Sequence, residues 1–198
     1  MNLLDESYWE ERYKSGETSW DLGAVSPPLK NYFDQLRNKK SRILIPGAGN
    51  GHEAAYLFEQ GFENVFVLDI SLAPLRNFKI RCPSFPENHL LHEDFFAHQG
   101  QYDLIIEQTF FCALDPSLRS AYSKKIYGLL AAQGTIAGLL FDDTAMKGGP
   151  PFGGSKEEYL QYFQPLFRIH VLEKAINSIP PRAGRELFMV LKKENGTL

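Results

Sequence analysis

Gly47, Gly49 and Gly51 stand two residues apart directly after the apolar run Arg42-Ile43-Leu44-Ile45-Pro46. That run is too short for a helix and is bounded by turn residues, so it reads as a buried parallel strand. Glu53 to Gln60, with Ala54, Ala55, Leu57 and Phe58, reads as the helix after it. Glycine in such a turn lets the backbone take positive φ and lets a ligand approach main-chain N–H groups at a helix N-terminus. Phe66-Val67-Leu68-Asp69 is a second strand. Asp69 ends it about 20 residues after the glycines, where a carboxylate can accept both hydroxyls of a ribose. The chemistry these residues suit is the binding of a nucleoside cofactor.

The spacing narrows the choice of nucleoside. A dinucleotide fingerprint wants a third glycine three places after the second, and that position is His52. Gly47-x-Gly49-x-Gly51 better suits a cofactor with no pyrophosphate to wrap, such as S-adenosylmethionine (SAM), with its ribose, adenine and zwitterionic methionyl tail. Two other readings stay open at this point. One is an NAD-binding oxidoreductase of the Rossmann kind, against which His52 counts; the other is a protein that binds SAM without catalysis.

Methyl transfer from a sulfonium asks little of a protein beyond holding the nucleophile in line and stripping its water. His52, His89, His92, His98 and His170 are scattered, and spacing assembles no Ser/His/Asp arrangement from them, so no catalytic acid or base is assigned. No metal site is expected either, since Cys82 and Cys112 lack ligand spacing and Asp142-Asp143 reads as a cap for the turn that follows it. Cys112 is expected to be a small apolar filler.

Elements that would position these residues alternate along the chain. Ser26-Pro27-Pro28 opens a helix carrying Leu29, Tyr32, Phe33 and Leu36, and Ser71 is placed to cap another through Arg81. Strands are expected near Leu90-Leu91, over Tyr102 to Glu107 and over Thr135 to Phe141. Asp115 or Ser117 caps a helix running to Leu130, and Ser155 to Phe163 is helical. Phe167 to Leu172 and Glu186 to Leu191 fit an antiparallel end better than another crossover. The class is therefore α/β, a Rossmann-like, mostly parallel seven-stranded sheet with an antiparallel last strand and helices on both faces.

Composition bounds this further. At 198 residues and 43% hydrophobic content, the chain is long enough for one well-buried core and short for two, so 1–198 is expected to be one domain. A net charge of -3 with no long Lys/Arg run leaves no footprint for nucleic acid or an anionic membrane surface, so neither is expected as a partner beside the small-molecule substrate of a methyltransferase. No apolar stretch approaches the ~20 residues of a membrane span. The start Met1-Asn2-Leu3-Leu4-Asp5-Glu6 is acidic rather than signal-like, so a cytoplasmic protein is expected.

Five segments carry a resemblance: Tyr8-Trp9-Glu10-Glu11-Arg12-Tyr13, Gly16-Glu17-Thr18-Ser19-Trp20-Asp21, Ile45 through Glu53, Phe110-Phe111-Cys112-Ala113-Leu114 and Gly148-Gly149-Pro150-Pro151-Phe152. With them the sequence resembles the thiopurine S-methyltransferase-like family, and within it the halide/thiol methyltransferase branch known from plants and bacteria. The resemblance implies SAM-dependent methyl transfer to a thiol, hydrosulfide, thiocyanate or halide by in-line displacement. It implies cofactor contacts at Trp9, Tyr13, Trp20 and Gly47, to which the glycine spacing adds Gly49. It also implies them at Asp69, Asp94, Phe95 and Gln108, while the position of Tyr13 is commonly tryptophan in that branch. Residues 1–24 then read as an aromatic arm that closes as a lid, its rings attracting the sulfonium charge. The acceptor pocket is expected from Phe111, Cys112 and the loop Lys147 to Gly154 with Pro150, and Arg119 and Tyr122 are placed to help hold an anion.

Overall fold

The structure is a computed structural model, and it describes residues 4–146 and 148–194; the first three residues of the expected arm and Lys147 of the expected loop lie outside the described residues. Seven strands form one sheet in the order β3-β2-β1-β4-β5-β7-β6. They are β1 (Arg42–Pro46), β2 (Asn64–Asp69), β3 (Leu90–His92), β4 (Tyr102–Gln108), β5 (Leu130–Phe141), β6 (Arg168–Lys174) and β7 (Glu186–Lys192). Neighbours from β3 to β5 pair in parallel, while β7 runs antiparallel to both β5 and β6. The parallel sheet and its antiparallel end are as the sequence pattern implies.

The central strands are apolar on both sides because both sides are covered. Successive side chains alternate between two cores: Leu44, Leu68 and Ile105 pack on one face, and Ile43, Val67 and Ile106 on the other. The first face is covered by α5 (Arg119–Leu129) and α6 (Lys156–Phe163), through side chains such as Ile126 and Phe163. The second is covered by α2 (Pro27–Phe33), α3 (His52–Glu59) and α4 (Leu72–Arg81), with Leu29, Leu57 and Phe78 inserted. α1 (Glu6–Ser15) lies against α4 and has no fully buried residue.

Some boundaries differ from the pattern. β5 starts at Leu130 rather than Thr135, because Leu130 already pairs with Tyr102 before a register shift brings Thr135 opposite Leu104. α2 ends at Phe33, so Leu36 lies beyond the helix it was expected to join. Among the described residues no helix is long and apolar enough to cross a membrane.

Candidate functional site

Where the parallel strands end at their carboxyl side, the glycine turn, the end of β2 and the end of β4 surround a cavity of about 470 Å³, a size suited to a small-molecule cofactor. Gly47 and Gly49 take φ of 56° and 53°, the left-handed region. A Cβ on Gly47 would lie 2.1 Å from the Phe110 ring, and one on Gly49 would lie 2.5 Å from the Tyr13 hydroxyl. Both positions therefore need glycine for shape as well as for conformation. Asp69 Oδ2 accepts from the N–H of Gly49 at 2.9 Å and Oδ1 from that of Ser71 at 2.9 Å. Burial pushes its pKa up to about 6.

Over this cradle lies the aromatic arm. Asp5 caps α1 by accepting from the N–H of Tyr8, and the four-residue spacing puts Trp9 and Tyr13 on one side of the helix, both on the cavity wall. The Trp20 ring meets both edge-to-face, with centroids 5.5 Å and 5.8 Å away, and its Nε1 donates to the Tyr13 hydroxyl at 3.3 Å. Burial raises the pKa of that hydroxyl. Polar ties hold the arm down, among them Glu6 Oε1 at 3.2 Å from His92 Nε2. Glu10 Oε2 accepts from the Ser71 hydroxyl at 2.7 Å and the Ala73 N–H at 2.9 Å, which makes Glu10 the cap of α4; Ser71 gives no side-chain cap of its own. Asp21 accepts from the Asn50 amide and lies 2.7 Å from His52 Nε2. Arg182 Nη2 donates to the Trp20 carbonyl at 2.7 Å.

Asp94 and Phe95 follow β3 and also line the cavity. Asp94 Oδ1 accepts from the Phe96 N–H at 2.8 Å, and Phe95 is buried against Phe110 and Tyr122, so each serves the fold as well as the wall. Gln108, the last residue of β4, lines the same cavity, and its Oε1 is buried with no hydrogen-bond partner among the described residues. A buried acceptor left unpaired is costly, and a donor from a ligand, such as the methionyl ammonium, would satisfy it. This orphan oxygen, the two glycines without room for a Cβ and the carboxylate of Asp69 together fit SAM.

Acceptor-side expectations divide. Cys112 and Pro150 line the cavity. Burial raises the Cys112 thiol far above its ordinary pKa, which suits a filler and not a nucleophile. Phe111 does not reach the cavity. It is fully buried against Tyr122, Tyr159 and Phe163, because the single 3-10 turn Phe111–Ala113 sends it into the core and leaves Phe110 on the wall. Arg119 is corrected in the same way. Its guanidinium is buried, pairs with Glu158 at 2.5 Å and donates to the carbonyls of Phe152 and Gly153, so it ties the Gly/Pro loop to α6 and does not line the cavity. Tyr122 is likewise in the core, its hydroxyl donating to Glu107.

Sequence reasoning missed the cations that do line the cavity, Arg182 and Arg185. Arg182 lies over the Phe141 ring with its guanidinium carbon 5.4 Å from the centroid, and Arg185 pairs with Asp143 at 2.8 Å. The one local signal was Pro180-Pro181, a rigid turn that sets Arg182 at a fixed place. The His52–Asp21 pair was also missed. It joins residues 31 positions apart, and the hydrogen bond from His52 holds the Asp21 carboxyl well below its ordinary pKa. Asp143 accepts from the Ala145 N–H at 2.9 Å, the turn cap that its position implied.

Comparison with known proteins agrees with this geometry. The crystal structure of Burkholderia thailandensis 1,6-didemethyltoxoflavin-N1-methyltransferase with bound S-adenosylhomocysteine (SAH) shares the fold, with a TM-score of 0.78 at 18% identity, over 96% of this chain and 87% of that one. Thiocyanate methyltransferase 1 of Brassica oleracea is 32% identical over 97% of this chain and 87% of its own length. Probable thiol methyltransferase 2 of Arabidopsis thaliana is 29% identical over 94% and 85%. The family model described as Thiopurine S-methyltransferase (TPMT) matches residues 4–193. The chain belongs to the thiopurine S-methyltransferase family and is a SAM-dependent methyltransferase.

Proposed function

We propose that the cavity beneath the arm transfers the methyl group of SAM to a small soft nucleophile: a thiolate, hydrosulfide, thiocyanate or halide. The observation that carries this reading is the composition of the wall away from the glycine turn. Leu114, Leu118, Phe141 and Pro151 make it largely apolar beside Asp115, and Arg182 and Arg185 bring guanidinium groups to it, each paired with a carboxylate, Glu186 at 3.3 Å and Asp143 at 2.8 Å. Such a wall favours an anion that gives up its water easily. The printed names of the relatives, a thiocyanate and a thiol methyltransferase, support the same class.

SAM supplies a sulfonium-activated methyl group that needs no further activation by the protein. Asp69 accepts the ribose hydroxyls, Asp94 and Phe95 receive the adenine, and Gly47, Gly49 and Gln108 meet the methionyl end. Trp9, Tyr13 and Trp20 cover the site, exclude water and present ring faces to the cationic centre. Residues 1–24 act as a lid on a single domain. Arg182 and Arg185 hold an anionic acceptor through guanidinium N–H groups not used by Glu186 and Asp143, while Cys112 and Pro150 shape its place. No residue takes a proton, since these acceptors are already anions when they react.

A calorimetric SAH titration paired with a turnover screen against hydrosulfide, thiocyanate, iodide and an aromatic thiol tests the proposal. SAH binding with transfer to at least one of these acceptors is expected. Tight SAH binding with no transfer to any of them would overturn the acceptor class.

A further inference from the structure

We propose that Glu107 is a positioning residue for the transfer, its carboxylate setting the turn 109–113 that carries Phe110 and Cys112 into the cavity. The inference rests on the reading that the acceptor meets that turn.

Glu107 sits in the middle of the sheet, after Ile105 and Ile106, at a place where a parallel strand ordinarily carries an aliphatic side chain. It is fully buried and makes no ion pair among the described residues. Its partners are three neutral donors: the N–H groups of Phe110 and Phe111 reach Oε1 at 2.8 Å and 2.9 Å, and the Tyr122 hydroxyl reaches Oε2 at 2.5 Å. Burial pushes its pKa up to about 7. A leucine here would fill the space without the cost of a buried carboxyl group, yet it would collect neither N–H.

The backbone on either side of this residue is constrained. Gly138 on β5 is its register partner, and a Cβ there would lie 2.3 Å from that of Glu107 and 2.4 Å from its carbonyl oxygen. Thr109, between Glu107 and the two N–H groups it binds, has φ of 60°. A β-branched residue holds that conformation only where its surroundings over-determine it, and the carboxylate that gathers the next two amides does so. The turn then passes its position on in two directions. The Phe110 ring presses on Gly47, and the Cys112 carbonyl accepts from the Phe152 N–H at 2.7 Å, joining the turn to the Gly/Pro loop. One buried carboxylate therefore sets the turn that joins the glycine cradle to the Gly/Pro loop of the acceptor wall.

The test compares wild type, Glu107→Asp and Glu107→Gln. KM and kcat are measured for thiocyanate and hydrosulfide at saturating SAM, together with SAH affinity and deuterium exchange in residues 109–113. Aspartate ends one methylene short of the turn. It should raise acceptor KM about tenfold, leave SAH affinity within about threefold and speed exchange in 109–113. Glutamine keeps an oxygen for both N–H groups and offers its amide to the Tyr122 oxygen, so it should return KM to within about threefold of wild type. An unchanged acceptor KM in Glu107→Asp, or KM and SAH affinity lost in parallel with a lowered melting temperature, would overturn the inference. Should wild type transfer to neither, KM is measured for iodide or the aromatic thiol instead, and if none of the four acceptors is methylated the acceptor reading fails by itself. Exchange then decides the role of Glu107, and no faster exchange in Glu107→Asp overturns it.

Discussion

The carboxylate of Asp69 is already the post that ties the glycine turn to β2, and each of its oxygens keeps a lone pair beyond the one used by Gly49 or Ser71. Those lone pairs are what a ribose needs. With its pKa raised by burial to about 6, the free protein carries a proton on Asp69 at lower pH, and a ligand that requires the carboxylate must first displace it. Affinity for SAH should therefore be level above about pH 7 and fall toward tenfold per pH unit below about 6. Asp69→Asn should flatten that profile, and Asp69→Ala should weaken SAH by roughly 1.5–3 kcal/mol with the fold intact. Calorimetry across pH on the three proteins checks both, and an unchanged affinity in folded Asp69→Ala would remove Asp69 from the ribose site. The place of Asp69, at the end of β2 beside the glycine turn, was legible because strand, turn and carboxylate are close in sequence. Arg119 was misread because its partner Glu158 lies 39 positions away on a helix that folds over it, and nothing local distinguishes an arginine that holds a loop from one that faces a ligand.

Among the elements, the arm depends most on distant partners. Its helix was readable from the Trp9 and Tyr13 spacing, but its anchoring was not, since Glu10 caps a helix that begins more than sixty residues later. The hydrogen bonds from Ser71 and Ala73 hold the Glu10 carboxyl down at about 2, so this tie is fully present at neutral pH and is lost only as pH falls toward that value. Glu10→Ala should cost about 1 kcal/mol, the scale of a lost helix cap. In a chain of this size that is about 2–4 °C in melting temperature. SAH affinity should fall several-fold as well, because the aromatic side of α1 loses its attachment beside the cavity. A lowered melt with unchanged SAH affinity would make α1 a packing element and not a lid. Strands and helices elsewhere followed the apolar pattern closely, and the boundary at Leu130 slipped because pairing with Tyr102 is decided across the sheet.

At the scale of the molecule, the parallel core was legible because β1, β2 and β4 are apolar on both sides, and the antiparallel end because β6 and β7 are too close in sequence for a crossover. What pattern does not encode is which side chains meet where loops converge. Arg182 reaches the arm from 162 positions away, and the His52–Asp21 pair closes across 31. That pair puts a histidine and a carboxylate on the cavity wall, where the scattered histidines of the sequence had suggested none. In this account it is a clasp between the arm and the glycine turn, and transfer to an anion proceeds without a base. Initial rates of methyl transfer to thiocyanate at saturating SAM, measured from about pH 7 to 9, test this most directly. A flat profile is predicted at saturating thiocyanate, because thiocyanate is an anion throughout and no protein group exchanges a proton with it. A sloping or bell-shaped profile that vanishes in His52→Ala would contradict it and make the pair an essential acid or base.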